Sequence, residues 1–238
     1  MFAQFGKTLN VVRDYHGTTA ASHSDGVNVQ LIDQDAEFLA GLISTAQAYN
    51  EGQVFVSTGK YDVLAMVHNE TSTGVMSNLQ EISDLLKNKY PDIIWLVDAV
   101  SSMAGIKIDV DSLGIDFLLS STQKAWGIPA GFSICSVSDK MLKKTKNLKN
   151  KGYFLDIEVY EKYYAKQQTP TTPSLPHMFA LKKVLENIEE ETLEGRFQRH
   201  IEMSEYTQKW ALDHDQQLFP EKGCESLTVT CIKNVQNW

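Results

Sequence analysis

The chain has 238 residues, of which 42% are hydrophobic and 22% are charged, and these proportions are typical of a globular protein with a sizeable core. The net charge of −8 argues against a surface that binds nucleic acid or an anionic membrane, because either would need a basic field. No apolar run approaches the roughly 18 residues of a membrane-spanning helix. The three cysteines lack metal-site spacing, and their odd number favours a reducing cytoplasm. We therefore expect a cytoplasmic protein without a metal, and with neither nucleic acid nor a membrane as a partner.

Apolar patterns of two kinds alternate along the first part of the chain. Short continuous apolar runs predict buried strands, and apolar residues at helical spacing predict amphipathic helices. In chain order, the predicted elements are a helix over 5–15, a strand over 27–32, a helix over 35–49, a strand over 63–67, a helix that starts at the cap Ser77 and ends before Pro91, and strands over 93–97, 115–119 and 132–137. Strands that alternate with helices at this pace predict an α/β fold, in which helices sandwich a mostly parallel sheet.

The composition changes several times along the rest of the chain. A lysine-rich run over 138–151 indicates a solvated helix face, with an anion site as the alternative. The aromatic-rich segment 152–164 indicates core packing or a subunit interface. The prolines and threonines of 167–174 exclude a helix and predict a fixed, extended loop. Two long helices should follow, with a break near Glu194, and the last predicted strand covers 227–232.

One short stretch, Ser120–Gly131, follows the strand predicted over 115–119. It is rich in small and turn-forming residues and contains a single lysine, Lys124. A lysine just past the end of a buried strand is held close to the core. Partial desolvation there lowers the pKa of its ammonium and favours the nucleophilic, neutral amine. The alternative is a solvated loop lysine, as most lysines are.

An aspartate, Asp98, comes directly after the strand predicted over 93–97. Because ligands of open α/β sheets bind outside the carboxyl ends of the strands, Asp98 and Lys124 should both face such a site. Pyridoxal phosphate (PLP) needs a lysine for its Schiff base and a carboxylate that keeps its pyridine nitrogen protonated. A lone aspartate at a strand end is usually a cap or a turn former, so the pairing of the two residues carries the prediction of PLP.

Four motifs occur in order along the chain: His68–Gly74 (HNETSTG), Val97–Ser102 (VDAVSS), Ser121–Ala125 (STQKA) and Thr169–Pro173 (TPTTP). Together they resemble the class V aminotransferases of PLP fold type I, and in particular the alanine/serine–glyoxylate (serine–pyruvate) aminotransferases. The resemblance covers roughly residues 61–230, and its specificity lies in the combination of motifs. It implies an enzyme that moves an amino group from a small amino acid, alanine or serine, to a 2-oxo acid, glyoxylate or pyruvate.

The resemblance also implies a role for each matching residue. Lys124 would form the Schiff base with PLP and later move a proton between the substrate α-carbon and the cofactor. Asp98 would pair with the pyridinium nitrogen. Val100 would pack against the face of the ring.

Four further residues would complete the cofactor site by the same resemblance. Thr71 would hydrogen-bond the phenolic oxygen of the cofactor, and Gln123 would reach its phosphate. Thr171 would contact the phosphate of the other subunit, because this family builds each site from two subunits of a homodimer. Phe5 would stack on the pyridine ring.

The chain departs from the family pattern at both ends. No convincing Gly/Ser/Thr-rich cup for the phosphate precedes the matched motifs. No arginine has the context of the family's clamp for the substrate carboxylate, since Arg196 and Arg199 fall on a predicted helix. The sequence resembles a family member shortened at both ends. Residues 1–175 would be a PLP-binding large domain, and 176–238 would hold interdomain helices and the beginning of a small α+β domain.

Two other functions stay open beside the transaminase. The first is a catalytically impaired fragment that only binds PLP or a partner subunit. The second is a PLP-dependent lyase or desulfurase, a relative that would carry a histidine before the lysine and a mobile catalytic cysteine. Gln123 precedes Lys124 here, and none of the three cysteines falls in a predicted site loop, so we rank this second alternative well below the transaminase.

Overall fold

The structure is a computed structural model that describes residues 29–31, 61–146, 148–149 and 151–233. In this part of the chain the strands are β1 (Val29–Leu31), β2 (Val63–Val67), β3 (Asn69–Glu70), β4 (Val75–Met76), β5 (Ile94–Asp98), β6 (Phe117–Ser121), β7 (Ser133–Val137), β8 (Gln217–Leu218) and β9 (Ile232–Lys233). The helices are α1 (Leu79–Lys89), α2 (Val110–Leu113), α3 (Asp139–Thr145), α4 (Ile157–Tyr164), α5 (Leu175–Glu191) and α6 (Leu193–Asp213). The helices predicted over 5–15 and 35–49, and with them Phe5, lie outside the described residues.

Five strands form the central sheet, in the order β1-β2-β5-β6-β7. The first four of these strands are parallel, and β7 runs antiparallel to β6. Two short antiparallel pairs, β3 with β4 and β8 with β9, lie outside this sheet. The prediction of a mostly parallel sheet is therefore confirmed.

The side chains of β5 alternate between two apolar layers, as the pleat of a strand requires. Trp95 and Val97 pack on one face with Leu118 and with residues of α1 and α2. Ile94 packs on the other face with Met141 of α3, and Ile157 of α4 packs against this cluster. Both faces are covered, which explains why this strand is a continuous apolar run in the sequence. The prediction that helices sandwich the sheet is confirmed.

The start of α1 differs from the sequence prediction by one residue. The capping box predicted at Ser77 and Gln80 is wrong, because the side chain of Asn78 accepts the hydrogen bond from the Gln80 N–H, at 3.1 Å. The Ser77 hydroxyl instead donates to the carbonyl of Val67 at 2.8 Å. This bond ties the start of the helix to the end of β2. The helix ends before Pro91, as predicted.

The strand β6 begins two residues later than the predicted strand over 115–119. Asp116 is buried just before it, and its carboxylate accepts hydrogen bonds from the Trp95 N–H at 2.9 Å, from the Ser138 hydroxyl at 2.7 Å and from Lys140 at 2.9 Å. The lysine-rich run therefore begins with a structural ion pair between Lys140 and Asp116. The apolar run in the sequence did not reveal this buried carboxylate.

The two long helices break at Thr192, two residues before the predicted position. Thr192 has a left-handed φ of 67°, and its hydroxyl accepts a hydrogen bond from the Gly195 N–H at 3.1 Å. The side-chain cap therefore starts α6 immediately after α5, and the two helices pack against each other. The prediction that 167–174 is not helical is confirmed, since these residues carry no helix or strand.

The strand predicted over 227–232 is wrong except at its end, where β9 begins at Ile232. The hydroxyl of Ser226 accepts hydrogen bonds from the N–H groups of Thr228, at 3.1 Å, and Val229, at 3.0 Å. These bonds curl the backbone into a turn, which satisfies donors that a strand would have used in a sheet. Alternating residue types alone did not reveal the turn.

The aromatic-rich segment around α4 is exposed in this chain. Tyr153, Phe154, Leu155, Tyr160 and Tyr164 all keep a large part of their surface open, up to 84% for Tyr164. Of the two alternatives for this segment, packing in the core of the same chain is therefore wrong.

None of the helices in the described ranges is long and apolar enough to cross a membrane.

Candidate functional site

The carboxyl ends of β2, β5 and β6 meet at one edge of the sheet. In the register of these parallel strands Val67 lies beside Asp98, and Asp98 lies beside Leu119. The His68 N–H donates to the carbonyl of Asp98 at 2.9 Å, and the Ala99 N–H donates to the carbonyl of Leu119 at 2.8 Å. The polar motifs that follow these three strands are therefore brought to the same place. We call residues 99–106 the Asp98 loop and residues 122–131 the Lys124 loop.

Asp98 is half-buried at this edge and points one oxygen back to its own loop. Its Oδ1 accepts a hydrogen bond from the Val100 N–H at 2.9 Å, and its Oδ2 has no hydrogen bond among the described residues. Burial raises the pKa of Asp98, the Val100 N–H lowers it, the Glu70 carboxylate raises it, and Lys124 lowers it. The net shift is upward, so the ionised carboxylate would gain from a cationic N–H donor on its free oxygen.

Lys124 lies in a tight turn just past the end of β6. The Gly127 N–H donates to the carbonyl of Lys124 at 2.9 Å, and the Thr122 hydroxyl donates to the carbonyl of Pro129 at 2.8 Å. Trp126 is buried beside them, with its indole N–H on the hydroxyl of Ser120 at 3.0 Å. Within the described part of the chain the ammonium of Lys124 makes no hydrogen bond or ion pair. A well-held backbone thus presents a half-buried lysine whose amine is unpaired.

Thr71 lies at the tip of the β3–β4 hairpin, which follows β2. Its hydroxyl forms a hydrogen bond with the hydroxyl of Ser101 in the Asp98 loop. Ser101 is held in turn by Thr228, whose hydroxyl donates to the carbonyl of Ser101 at 2.5 Å. The thiol of Cys231 lies 3.6 Å from the carbonyl oxygen of Thr71. The hairpin therefore contacts both the Asp98 loop and the C-terminal segment.

Two buried polar residues support the base of this hairpin. The Nδ1 atom of His68 and the hydroxyl of Ser102 are joined by a hydrogen bond of 2.8 Å. Burial lowers the pKa of His68 to about 4, so its imidazole is neutral at pH 7. Asn69 is also buried, and neither its side-chain oxygen nor its nitrogen has a hydrogen-bond partner in the described structure.

The other predicted site residues in the described ranges are Val100, Gln123 and Thr171, and they differ in their exposure. Val100 is half-buried in the Asp98 loop, and Gln123 is exposed beside Lys124, where its side-chain oxygen accepts a hydrogen bond from the hydroxyl of Ser121. Thr171 is exposed in the loop between α4 and α5. In the described ranges no hydrogen bond joins Thr171 to the Asp98 or Lys124 loop. The chain itself thus brings together Asp98, Val100, Thr71, Gln123 and Lys124.

Sequence reasoning missed two residues that organise this edge. Ser101 connects the Asp98 loop to Thr71, and the pair of serines after Asp98 was its only signal. Arg196 reaches from α6 to the carbonyls of Ala104 and Ala125, one in each loop. No local pattern could have revealed Arg196, because it is 92 residues from Ala104 and 71 residues from Ala125 in the chain.

The residues at this edge fit PLP. The free carboxylate oxygen of Asp98 suits a protonated pyridine nitrogen, and the unpaired amine of Lys124 suits a carbonyl carbon. The hydroxyl of Thr71, which Ser101 orients, provides a neutral hydrogen-bonding group. A group of three or more His, Cys, Asp or Glu residues that could hold a metal ion is not found in the described ranges.

The family of this chain follows from its similarity to known proteins. The sequence model of the class V aminotransferases matches residues 18–235, which is most of the chain. The chain therefore belongs to the class V aminotransferase family, as its four motifs predict. Membership of this family implies PLP as the cofactor, in agreement with the pairing of Asp98 and Lys124.

The individual relatives that match this chain are also named as aminotransferases. An uncharacterised aminotransferase of Methanocaldococcus jannaschii is 33% identical over 95% of this chain and 58% of its own length. Serine–glyoxylate aminotransferase of Arabidopsis thaliana is 36% identical over 71% of this chain and 43% of its own length. The solved structure of alanine–glyoxylate aminotransferase from Nostoc sp. superposes with a TM-score of 0.73 at 27% identity, and the match covers 82% of this chain and 51% of that one.

The similarity to the Nostoc structure confirms PLP fold type I for the described part of the chain. This chain spans between 43% and 58% of the length of the three relatives just described.

Proposed function

We propose that this chain belongs to a PLP-dependent transaminase that moves an amino group from alanine or serine to glyoxylate or pyruvate. The observation that carries the proposal is that the amine of Lys124 and one oxygen of the half-buried Asp98 carboxylate lie at the same sheet edge without a hydrogen-bond partner among the described residues. Relatives named as serine–glyoxylate and alanine–glyoxylate aminotransferases support this choice of substrates.

PLP, when bound, supplies an electron sink that stabilises negative charge at the α-carbon of an amino acid. Asp98 would hold the proton on the pyridine nitrogen, and its partial burial makes that ionic hydrogen bond stronger than it would be in water. Thr71, oriented by Ser101, would hydrogen-bond the phenolic oxygen, and Gln123 would reach the phosphate. Val100 would pack against the ring.

Lys124 would perform the proton transfer. Its Nζ atom, when neutral, would take the proton from the α-carbon of the amino acid and would later return a proton as the general acid. The turn formed by Thr122, Gly127 and Pro129 limits the movement of the Lys124 backbone, so the amine remains within reach of the α-carbon.

A homodimer with shared sites completes the proposal. Thr171 is exposed and makes no hydrogen bond to the Lys124 loop within the described residues, as expected of a residue that reaches the phosphate of a second subunit. The aromatic-rich segment that precedes it is also exposed, and it would supply apolar surface for the subunit contact. Phe5 would stack on the ring.

A lyase or desulfurase reaction is the second candidate, and Cys231 is the residue that favours it. Its thiol lies 3.6 Å from the carbonyl oxygen of Thr71, nearer to the hairpin than the sequence indicated. However, burial and the nearby Glu70 carboxylate raise the pKa of the Cys231 thiol, which disfavours the nucleophilic thiolate. We therefore prefer the transaminase.

The experiment is an absorbance titration of the purified chain with PLP. We expect wild type to develop the near-visible band of lysine-bound PLP, and Lys124→Ala to develop none. Lys107→Ala, which removes an exposed lysine outside the Lys124 loop, is the matched control and should behave as wild type. Adding alanine or serine to the loaded wild-type chain should convert the band to that of the pyridoxamine form.

Two results would contradict the proposal in different ways. Identical spectra for wild type and Lys124→Ala would remove Lys124 from the site. A band that forms but responds to no amino acid would instead identify a fragment that binds PLP without transamination.

A further inference from the structure

Arg196 lies near the start of α6, and each nitrogen of its guanidinium group donates to a different protein group. Nε donates to the carbonyl of Ala104 at 2.7 Å, and Nη2 donates to the carbonyl of Ala125 at 2.6 Å. Nη1 donates to the carboxylate of Glu191 at 3.3 Å. The side chain is only 12% exposed. Arg196 is thus fully engaged with its own chain and is not available to bind a substrate carboxylate.

The two carbonyls belong to the two loops of the site. Ala104 is in the Asp98 loop, and Ala125 follows Lys124 directly. In the described part of the chain neither carbonyl accepts any other hydrogen bond. Arginine is suited to this position because its planar fork can meet two carbonyls and a carboxylate in fixed directions, whereas a lysine ammonium is a single point.

The Asp98 loop is shaped for this contact. Ala104 has a left-handed φ of 72°, which is uncommon for a residue with a Cβ atom and requires support from its surroundings. At the next residue, a Cβ atom on Gly105 would lie 2.6 Å from Cγ2 of Thr228 and 3.2 Å from Cβ of Ala125. The absence of a side chain on Gly105 therefore lets the two loops and the C-terminal segment approach each other closely.

We propose that Arg196 is a positioning residue that holds the Asp98 loop and the Lys124 loop at a set separation. Asp98 and Lys124 can then contact the cofactor at the same time. This inference rests on the proposed function for its consequence, but the contacts belong to the chain without cofactor. Loss of the Arg196 bonds would let Lys124 and Asp98 move independently, and misplacement of a site group by about 1 Å can cost about 100-fold in function.

Arg199 provides a matched control one turn further along α6. Its guanidinium also pairs with Glu191, with Nη2 at 3.0 Å from the carboxylate, and its Nη1 lies 3.8 Å from the sulfur of Met203. It makes no hydrogen bond to either loop in the described structure. Arg196→Gln and Arg199→Gln therefore each remove one positive charge and the contact with Glu191, which is one hydrogen bond for Arg196 and two for Arg199. Only Arg196→Gln also removes the bridge between the loops.

The first measurement is hydrogen–deuterium exchange of the chain without PLP. The reporters are four amides whose hydrogen bonds close the two loops, those of Gly105, Ile106, Gly127 and Ile128. We expect Arg196→Gln to raise their exchange rates about tenfold or more and to leave the amides of β5 unchanged, because local opening exposes only the loops. Arg199→Gln should leave all of these rates unchanged.

The second measurement is the PLP titration by absorbance. We expect the dissociation constant to rise about 10- to 100-fold in Arg196→Gln and less than about twofold in Arg199→Gln. Arg196→Lys keeps the charge but cannot span both carbonyls, so it should resemble Arg196→Gln and not wild type.

Equal exchange rates and affinities in the two glutamine variants would overturn the inference. So would faster exchange throughout β5 in Arg196→Gln, since that result would show a general loss of stability. If wild type itself binds no PLP, the proposed function fails, and the exchange comparison still decides the role of Arg196.

Discussion

The carboxyl edge of the sheet and the outer surface of α5 and α6 differ in how their side chains find partners. At the edge, the hydroxyls of Thr71 and Ser101 and the guanidinium of Arg196 are paired within the chain. In the described ranges, the amine of Lys124 and one carboxylate oxygen of Asp98 have no partner. The helices instead leave large apolar side chains exposed: Leu175, Met178, Phe179, Leu185, Leu193, Met203, Tyr206, Trp210 and Leu212.

The two regions therefore differ in what covers their apolar side chains. The sheet buries its apolar residues on both faces within one chain, so the stability of that region is a property of the chain itself. The helices have an apolar surface that the described residues do not cover, which is typical of a surface that contacts another body. Under the proposed function, that body is the second subunit.

The largest expected effect compares two leucines. Leu118 is 0% exposed in β6 and Leu185 is 49% exposed on α5. Leu118→Ala should lower the free energy of unfolding by about 3 to 5 kcal/mol, because it leaves a cavity in the core. Leu185→Ala should cost less than about 0.5 kcal/mol, as is usual for exposed positions. Urea unfolding at two protein concentrations measures both changes.

An equally large loss in Leu185→Ala at both concentrations would contradict the prediction, because it would place Leu185 inside the folded chain. A loss that grows with protein concentration would instead place Leu185 at a subunit interface, because only an interface between subunits depends on concentration.

The second prediction tests the buried base of the hairpin by pH. The pKa of His68 is lowered to about 4 in the folded chain, from an ordinary value of 6.5, so the unfolded chain binds a proton that the folded chain does not. Stability should therefore fall as the pH drops from 6.5 to about 4, by about 3 kcal/mol from this residue. Urea unfolding at pH 7.5 and pH 4.5 measures the change.

His68→Gln should remove this part of the acid sensitivity, whereas His214→Gln, at the exposed end of α6, should leave it intact. An unchanged pH dependence in His68→Gln would mean that the imidazole is not the group that resists protonation.

The smallest expected effect concerns Asp98. Because burial raises the pKa of Asp98, the stability associated with its neutral form is lost as the pH rises through the folded pKa. Asp98→Asn, which carries no charge, should therefore leave the chain without cofactor at least as stable at pH 7. The same change should weaken PLP binding about 10- to 100-fold, since a hydrogen bond to a charged group contributes about 1.5 to 3 kcal/mol.

Asp109→Asn is the matched control for Asp98. Asp109 caps α2, where the backbone N–H of Ser112 lowers its pKa, and it has no role in the proposed site. We expect that variant to lose stability and to keep its PLP affinity. Unchanged PLP affinity in Asp98→Asn would show that Asp98 does not contribute to binding of the cofactor.

Much of the sheet and the centre of the site could be predicted from local sequence. A continuous apolar run predicted β5 because both of its faces are buried, and the polar residues that end it placed Asp98 at the edge. The turn-rich stretch after β6 placed Lys124 in the same way. The errors were local as well. Asn78 caps α1 in place of Ser77, and the hydrogen bond from the Val229 N–H to the hydroxyl of Ser226 belongs to a turn where a strand was predicted.

Local sequence was thus enough to predict the α/β class and the cofactor and to propose Asp98 and Lys124 as site residues, because hydrophobic periodicity and strand-end chemistry are local properties. Only the tertiary structure decided what holds those residues in place. The bond between Thr71 and Ser101 and the bridge from Arg196 to Ala125 join positions 30 and 71 residues apart. Such contacts depend on how whole elements pack, and no local pattern encodes them.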